Sequence, residues 1–316
     1  MNQREFVTSL LDSALGYYDK GKFTEALSAY LDIKNQYGEL YPNGYFDGSI
    51  GACYYAADRF QEALEPLKTY CEAWELVSSE DKKDSNYALA LYRIATSYYE
   101  IRRYEDAIAA YREVVAHFDL FSLDDDSLLR YNTRLLCGRA HRFLGNNKPA
   151  IVEFSEALKE AAALEIASGR ETSVTVSNLD LAKTYYSDGD LQKLSEHLSA
   201  VVPELLTPLY RIDYFMLKLS LLSQEQEHGE LVSFYTSNSE MIEGTERESD
   251  ALCFLGVAYY ALDKLDKARK SLESSQSMRN VREEIKKINV EHLELIANRN
   301  KSKSWSKSLG RLLGFD

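Results

Sequence analysis

"ALGYYDKGKFTEALSAY" (residues 14–30) and "ATSYYEIRRYEDAIAAY" (95–111) share one spacing, and that spacing decides the fold. A small residue stands three positions before a tyrosine pair, and a bulky residue follows the first tyrosine by six. Pairs recur at Tyr17–Tyr18, Tyr54–Tyr55, Tyr98–Tyr99, Tyr185–Tyr186 and Tyr259–Tyr260. Counted from the first tyrosine, position −3 holds Ala14, Gly51, Ala95, Ala182 and Gly256, and position +6 holds Phe23, Phe60, Tyr104, Leu191 and Leu265. Position +9 holds Ala26, Ala63, Ala107, Leu194 and Ala268; position +13 holds Tyr30, Leu67, Tyr111, Leu198 and Leu272. A sixth copy lacks the tyrosines but keeps Gly138, His141, Ala150 and Phe154.

Gly21, Asp58, Arg102, Gly145, Gly189 and Asp263 fall four residues after the first position of each pair, where a short turn would join two helices. The small residue lets those helices approach, and the alanine of the second helix is expected to meet it. Each copy reads as an antiparallel helical hairpin. Few breakers (5 Pro, 15 Gly) and no alternating Val/Ile/Thr run leave no signal for a sheet.

The order small–x–x–Tyr–x–x–x–Gly/Asp–x–Phe/Tyr–x–x–Ala–x–x–x–Tyr/Phe/Leu resembles the tetratricopeptide repeat. The chain departs from that family in lacking its usual tryptophan and closing proline in most copies, and in having Asn147 at a bulky position. The resemblance implies an all-α, right-handed superhelical solenoid of about seven hairpins plus a C-terminal capping helix. A degenerate repeat is expected in "LSLLSQEQEHGELVSFY" (219–235), with Gly229, Leu231 and Phe234 in the turn, bulky and alanine slots. The array spans 1–278, a capping helix 279–300 and a basic amphipathic tail 301–316.

Composition narrows the function. The net charge is −13, with +4 in residues 279–316 and −17 in the rest. An acidic body argues against nucleic acid as a partner. Cys53, Cys71, Cys137 and Cys253 have no CxxC or Cys/His spacing and read as buried thiols. The five histidines form no metal motif, and no phosphate loop, dinucleotide fingerprint or nucleophile elbow is present. No cofactor, metal or catalytic residue is expected, and the chain reads as a cytoplasmic non-enzyme without a secretory signal or membrane span.

Adjacent helical residues point about 100° apart, so the tyrosines of a pair serve different faces. The first is expected to wedge inside its hairpin. The second shares a stripe with residues three and seven earlier, such as Leu11–Leu15–Tyr18, Gly48–Ala52–Tyr55 and Tyr92–Thr96–Tyr99. The family resemblance implies that this face lines a concave groove, which would hold Tyr18, Tyr55, Tyr92, Tyr99, Tyr186 and Tyr260. Tyrosine suits such a surface, offering large area, a hydroxyl and few rotors. The stripe of the copy without tyrosines carries Arg139 and Arg142, and Lys183 follows in the next, a central basic patch for an acidic partner segment. The family's clamp for a chaperone's terminal carboxylate needs Lys and Asn where Leu11 and Leu15 stand, which excludes that specialisation.

In the tail, Trp305, Leu309, Leu312 and Leu313 fall on one helical face, with Lys307 and Arg311 on others. It reads as an element that docks on the array, on a partner, or on an anionic membrane. The preferred function is a non-enzymatic scaffold that binds a peptide or helix of another protein. The alternatives are a peripheral membrane adaptor anchored by the tail and a ligand- or peptide-sensing regulator.

Overall fold

The computed structural model describes residues 3–77, 85–118, 127–168 and 171–312. All regular structure among them is helical. Successive helices pair as α1 (Gln3–Tyr18) with α2 (Phe23–Tyr37), α3 (Asp47–Ala56) with α4 (Phe60–Val77), α5 (Ser85–Glu100) with α6 (Tyr104–His117), and α7 (Ser127–Phe143) with α8 (Asn147–Ser168). They continue with α9 (Glu171–Asp188), α10 (Leu191–Ser199), α11 (Pro208–Gln224), α12 (His228–Asn238), α13 (Glu248–Ala261), α14 (Leu265–Ser277) and the long α15 (Glu283–Leu312). Most second helices open at the +6 residue of the repeat, as the spacing predicts.

Among the described residues one turn geometry is used seven times. The residue at +4 adopts positive φ: Gly21 (71°), Asp58 (56°), Arg102 (62°), Gly145 (74°), Gly189 (79°), Gln226 (61°) and Asp263 (56°). The next residue donates its backbone N–H to the carbonyl of the first-tyrosine position. Lys22 does so to Tyr17 at 2.9 Å, Arg103 to Tyr98 at 2.8 Å and Lys264 to Tyr259 at 2.9 Å. This is the Schellman closure of a helix C-terminus. The same residue then accepts from the +9 amide, as Lys22 does from Ala26 and Arg103 from Ala107. A single residue thus ends one helix and starts the next, so the joint is short and the two helices run antiparallel.

The turn at Gln226 corrects the register expected for the degenerate repeat. Gly229 lies inside α12, and Glu227 donates to Leu222 at 2.9 Å. Leu219, Leu231 and Tyr235 therefore occupy the −3, +9 and +13 positions, three residues upstream of the register that Gly229 implied, and all three are buried. Glycine marks the turn in other copies, but Gln226 meets the same left-handed requirement at an energetic cost. That residue type hid the joint.

A second correction concerns the small residue. A Cβ added at Gly138 would lie 2.7 Å from the Phe154 ring, and one at Gly51 or Gly256 would lie 2.5 or 2.6 Å from Leu67 or Leu272. The +13 side chain presses on the small position; the +9 alanine, fully buried, is not its nearest neighbour. A large side chain crossing from the second helix needs the first helix's backbone laid bare, and this is why Gly or Ala recurs there.

The chain divides into two compact units, residues 1–184 and 185–316. In unit one, Val7, Ala14, Leu27, Tyr30, Phe46, Ile50 and Cys53 form one core cluster, and residues of α4 to α7 around Leu67, Tyr87, Ile94 and Tyr111 form another. In unit two, Phe215, Leu222, Leu231 and Leu255 are packed together. There α15 and the residues just before it close α13 and α14: Ile296 joins Leu265, Ala268 and Leu272, while Val281 and Ile285 cover Cys253. A buried polar chain pins the cap, with Asn289 donating to Ser275 Oγ at 2.9 Å and Ser275 donating to the Ser249 carbonyl at 2.7 Å. Arg282 reaches buried Asp250 at 2.6 Å. The segment expected to cap the array does cap these two helices.

Candidate partner-binding site

The first helices of unit one carry the site. α3 lies against α5, and α5 against α7. A cavity of about 360 Å³ opens among them, lined by Leu15 and Tyr18 of α1, Gly48 and Ala52 of α3, and Leu89 and Arg93 of α5, with Tyr30, Tyr45 and Tyr70 completing it. A second cavity of about 230 Å³ shares Leu15, Tyr30, Tyr45 and Ser49 and reaches Leu11. The Leu11–Leu15–Tyr18 stripe and the Gly48–Ala52 portion of the next are therefore where the cavities lie.

The loop after α2 supplies a wall that repeat spacing does not foretell. Gly44 has φ 83°, and a Cβ on it would strike Ala73 at 2.6 Å, so the chain runs tight against α4 there. This fixes Tyr45, whose ring stacks on Tyr41 at 4.6 Å and meets Phe46 at 5.0 Å. Leu15 remains 48 % exposed and Tyr45 50 %, so the rim presents apolar surface to solvent.

The tyrosines divide their work differently from the expectation. The second tyrosine, not the first, packs on the +6 ring of its own hairpin: Tyr18 on Phe23 (5.2 Å), Tyr55 on Phe60 (5.7 Å) and Tyr99 on Tyr104 (5.7 Å), all edge to face. The first carries cations from the turn and the second helix, with Arg59 over Tyr54, Arg103 over Tyr98 and Lys267 over Tyr259. Tyr17 is 42 % exposed, which a wedge between helices would not be, whereas Tyr98 is buried in the core as expected.

The Thr96 hydroxyl lies 3.1 Å from that of Tyr111, and the Tyr92 ring lies 6.3 Å from the Tyr111 ring. Burial raises the phenols of Tyr55, Tyr92 and Tyr111, Tyr92 to about 12. The Tyr111 hydroxyl is engaged inside the protein, and the Tyr55 ring packs on Phe60. Burial likewise raises Tyr99 to about 12, and its ring lies 6.2 Å from that of Phe143. In unit two, Tyr260 meets His292 edge-on at 5.5 Å with Arg299 over its face, so the capping helix covers it. Tyr186 stays 41 % exposed and accepts a hydrogen bond from Ser220. Of the six proposed groove tyrosines, Tyr18 alone lines the cavities.

The basic patch exists as a cluster, but its charge is met from within. Asp180 of α9 is buried, with Arg139 at 2.7 Å and Arg142 at 2.9 Å. Burial pushes its carboxyl upward, yet Arg139, Arg142 and Lys183 together hold it below the ordinary aspartate range. Two of the three cations proposed for a partner are thus committed to a structural carboxylate. Position along a helix showed these arginines but could not show an aspartate 41 residues away in the chain.

The described residues contain no group of three or more His, Cys, Asp or Glu side chains able to hold a metal. All four cysteines are buried, and burial raises each thiol, Cys71 to about 12. Among the described residues no helix is long and apolar enough to cross a membrane. The side chains of Trp305, Leu309, Arg311 and Leu312, and Leu313 altogether, lie outside the described residues.

Two segments, 89–119 and 249–281, match tetratricopeptide repeat sequence profiles. They contain the copies built on Tyr98 and Tyr259. No curated protein matches the chain in sequence. Among solved structures, the C-terminal part of a repeat-containing protein of this type from Cytophaga hutchinsonii superposes with a TM-score of 0.60 at 14% identity, covering 88% of this chain and 98% of that one. A tetratricopeptide repeat protein from Parabacteroides merdae gives 0.52 at 14% identity, covering 90% and 97%. Residues 89–119 and 249–281 are thus tetratricopeptide repeats by sequence, and the paired helices around them share the fold of solved tetratricopeptide repeat proteins.

Proposed function

We propose that this chain is a non-enzymatic interaction scaffold that holds a segment of another protein in the cavities of α1, α3 and α5. The repeat type supports a protein-binding role in general. One observation carries the specific reading: an aromatic-walled hollow with Leu15 and Tyr45 half exposed at its rim. Its volume is that of a ligand site, and its wall offers apolar and polar surface in comparable measure. The rings that line it are held by their neighbours, so little freedom is lost when a guest lies against them. Tyr55, Tyr92, Tyr99, Arg139 and Arg142 act in this reading as the frame that holds α3, α5, α7 and α9 in place. Tyr18 is the direct contact.

The test is quantitative capture on immobilised protein, comparing the wild type with Leu15→Ser/Tyr45→Ala. Both residues sit at the rim, so melting should change little. Specific partners should fall about tenfold or more on the double variant, as expected on losing two aromatic or aliphatic anchors. Equal retention of every captured protein would overturn the proposal.

A further inference from the structure

Arg93 sits one residue after Tyr92 on α5, lines the larger cavity and is partly buried. Among the described residues it makes no ion pair and no hydrogen bond. The other partly buried arginines of the described residues are all matched. Arg130 faces Glu160, Arg134 faces Glu153, Arg139 and Arg142 share Asp180, and Arg211 donates to the carbonyls of Pro203, Glu204 and Leu206. A guanidinium half withdrawn from water without a counter-charge has lost hydration and gained nothing in return. In a protein whose residues 1–278 carry −17, an unmatched cation is a local exception.

The cavity that Arg93 lines also offers the hydroxyl-bearing Ser49 and the apolar surfaces of Leu15, Tyr18 and Tyr45. A planar fork of N–H donors beside aromatic walls suits a carboxylate on a short side chain with an apolar neighbour. One cation asks for one carboxylate rather than an acidic run.

We infer that the cavity receives a partner segment bearing a single Asp or Glu, whose carboxylate pairs with Arg93 while an adjacent apolar side chain lies against Leu15, Tyr18 and Tyr45. This rests on the interaction-scaffold reading above and names the chemistry of its partner.

The test uses an array of nine-residue peptides, acetylated and amidated, each with a central Asp or Glu beside varied apolar residues. Each is paired with its Asn or Gln counterpart and with a version ending in a free carboxylate. The full chain should retain acidic peptides with an apolar neighbour about tenfold or more over the amide counterparts, the size expected of one charge-assisted hydrogen-bonded pair. Arg93→Gln should erase that preference and Arg93→Lys should keep part of it, with melting temperatures unchanged in both. Binding that does not distinguish Glu from Gln, or that survives Arg93→Gln intact, overturns the carboxylate assignment and leaves the scaffold reading standing. Retention of only the free-carboxylate peptides overturns the side-chain assignment. If no peptide binds, the inference fails; if partner capture also ignores Leu15→Ser/Tyr45→Ala, both readings fail together.

Discussion

Arg102 occupies a backbone position made for glycine. Its φ of 62° is the same left-handed turn that Gly21, Gly145 and Gly189 adopt in their hairpins. A side chain there crowds the following carbonyl at a cost of about 1–2 kcal/mol, while glycine adds unfolded-state entropy worth about 0.4–1 kcal/mol the other way. Arg102→Gly should therefore stabilise the chain by up to about 1.5 kcal/mol, and Gly145→Ala should destabilise it by a similar amount. Urea midpoints for the pair should move in opposite directions. Asp58 and Asp263 tolerate the same conformation better, because a short polar side chain bonds locally. The repeat spacing locates the turn at Arg102 as surely as at Gly145, but it does not reveal which copies are strained.

At the scale of helices, the contact of α7 with α9 turns on Asp180. Its carboxylate receives Arg139 Nε at 2.8 Å and Arg142 Nη1 at 2.9 Å. Removing the acid leaves two cations without their shared partner, so Asp180→Ala should cost about 3–5 kcal/mol. The pH dependence follows from the direction of its shift. A carboxyl held below its ordinary value of 3.8 binds a proton more readily when unfolded than when folded. Its contribution to stability is complete above that value and is lost as pH falls through the lower, folded one. Denaturation midpoints measured downward from pH 6 should fall more steeply below about pH 4 in the wild type than in Asp180→Asn. Parallel curves would show that the pair contributes nothing. Within a single element the sequence displays Arg139 and Arg142 as groove cations; their structural use depends on a residue in another helix.

For the molecule as a whole, an open stack of hairpins is stable only where its end is covered. In unit two that cover is α15 with the residue before it, through Ile285, Ile296, the Asn289–Ser275–Ser249 chain and the Arg282–Asp250 pair. Truncation after Met278 uncovers Cys253 and Leu272 and leaves Asp250 with Arg247 at 3.2 Å. Amides of α13 and α14 should then exchange faster with deuterated solvent, by tenfold or more for a loss of about 1.4 kcal/mol. Those of α5 and α6 should be unaffected, since each repeat draws its stability from its neighbours. Uniform protection before and after truncation would remove the capping role.

The sequence by itself determined that the chain is a series of helical hairpins, because small, bulky and turn positions recur at a spacing that one local geometry satisfies. It also marked the cap, whose apolar stripe needs a surface to cover. It could not determine which tyrosines remain available to a partner. Tyr55 meets Phe60, Tyr92 meets Tyr111, Tyr260 meets the cap, and Tyr18 meets the cavity, although the same pattern announces all of them. Periodicity assigns a residue to a face. What lies opposite that face is set by residues tens of positions away, and only packing in three dimensions decides whether an arginine there finds a counter-charge, as Arg139 does, or lines a cavity without one, as Arg93 does among the described residues.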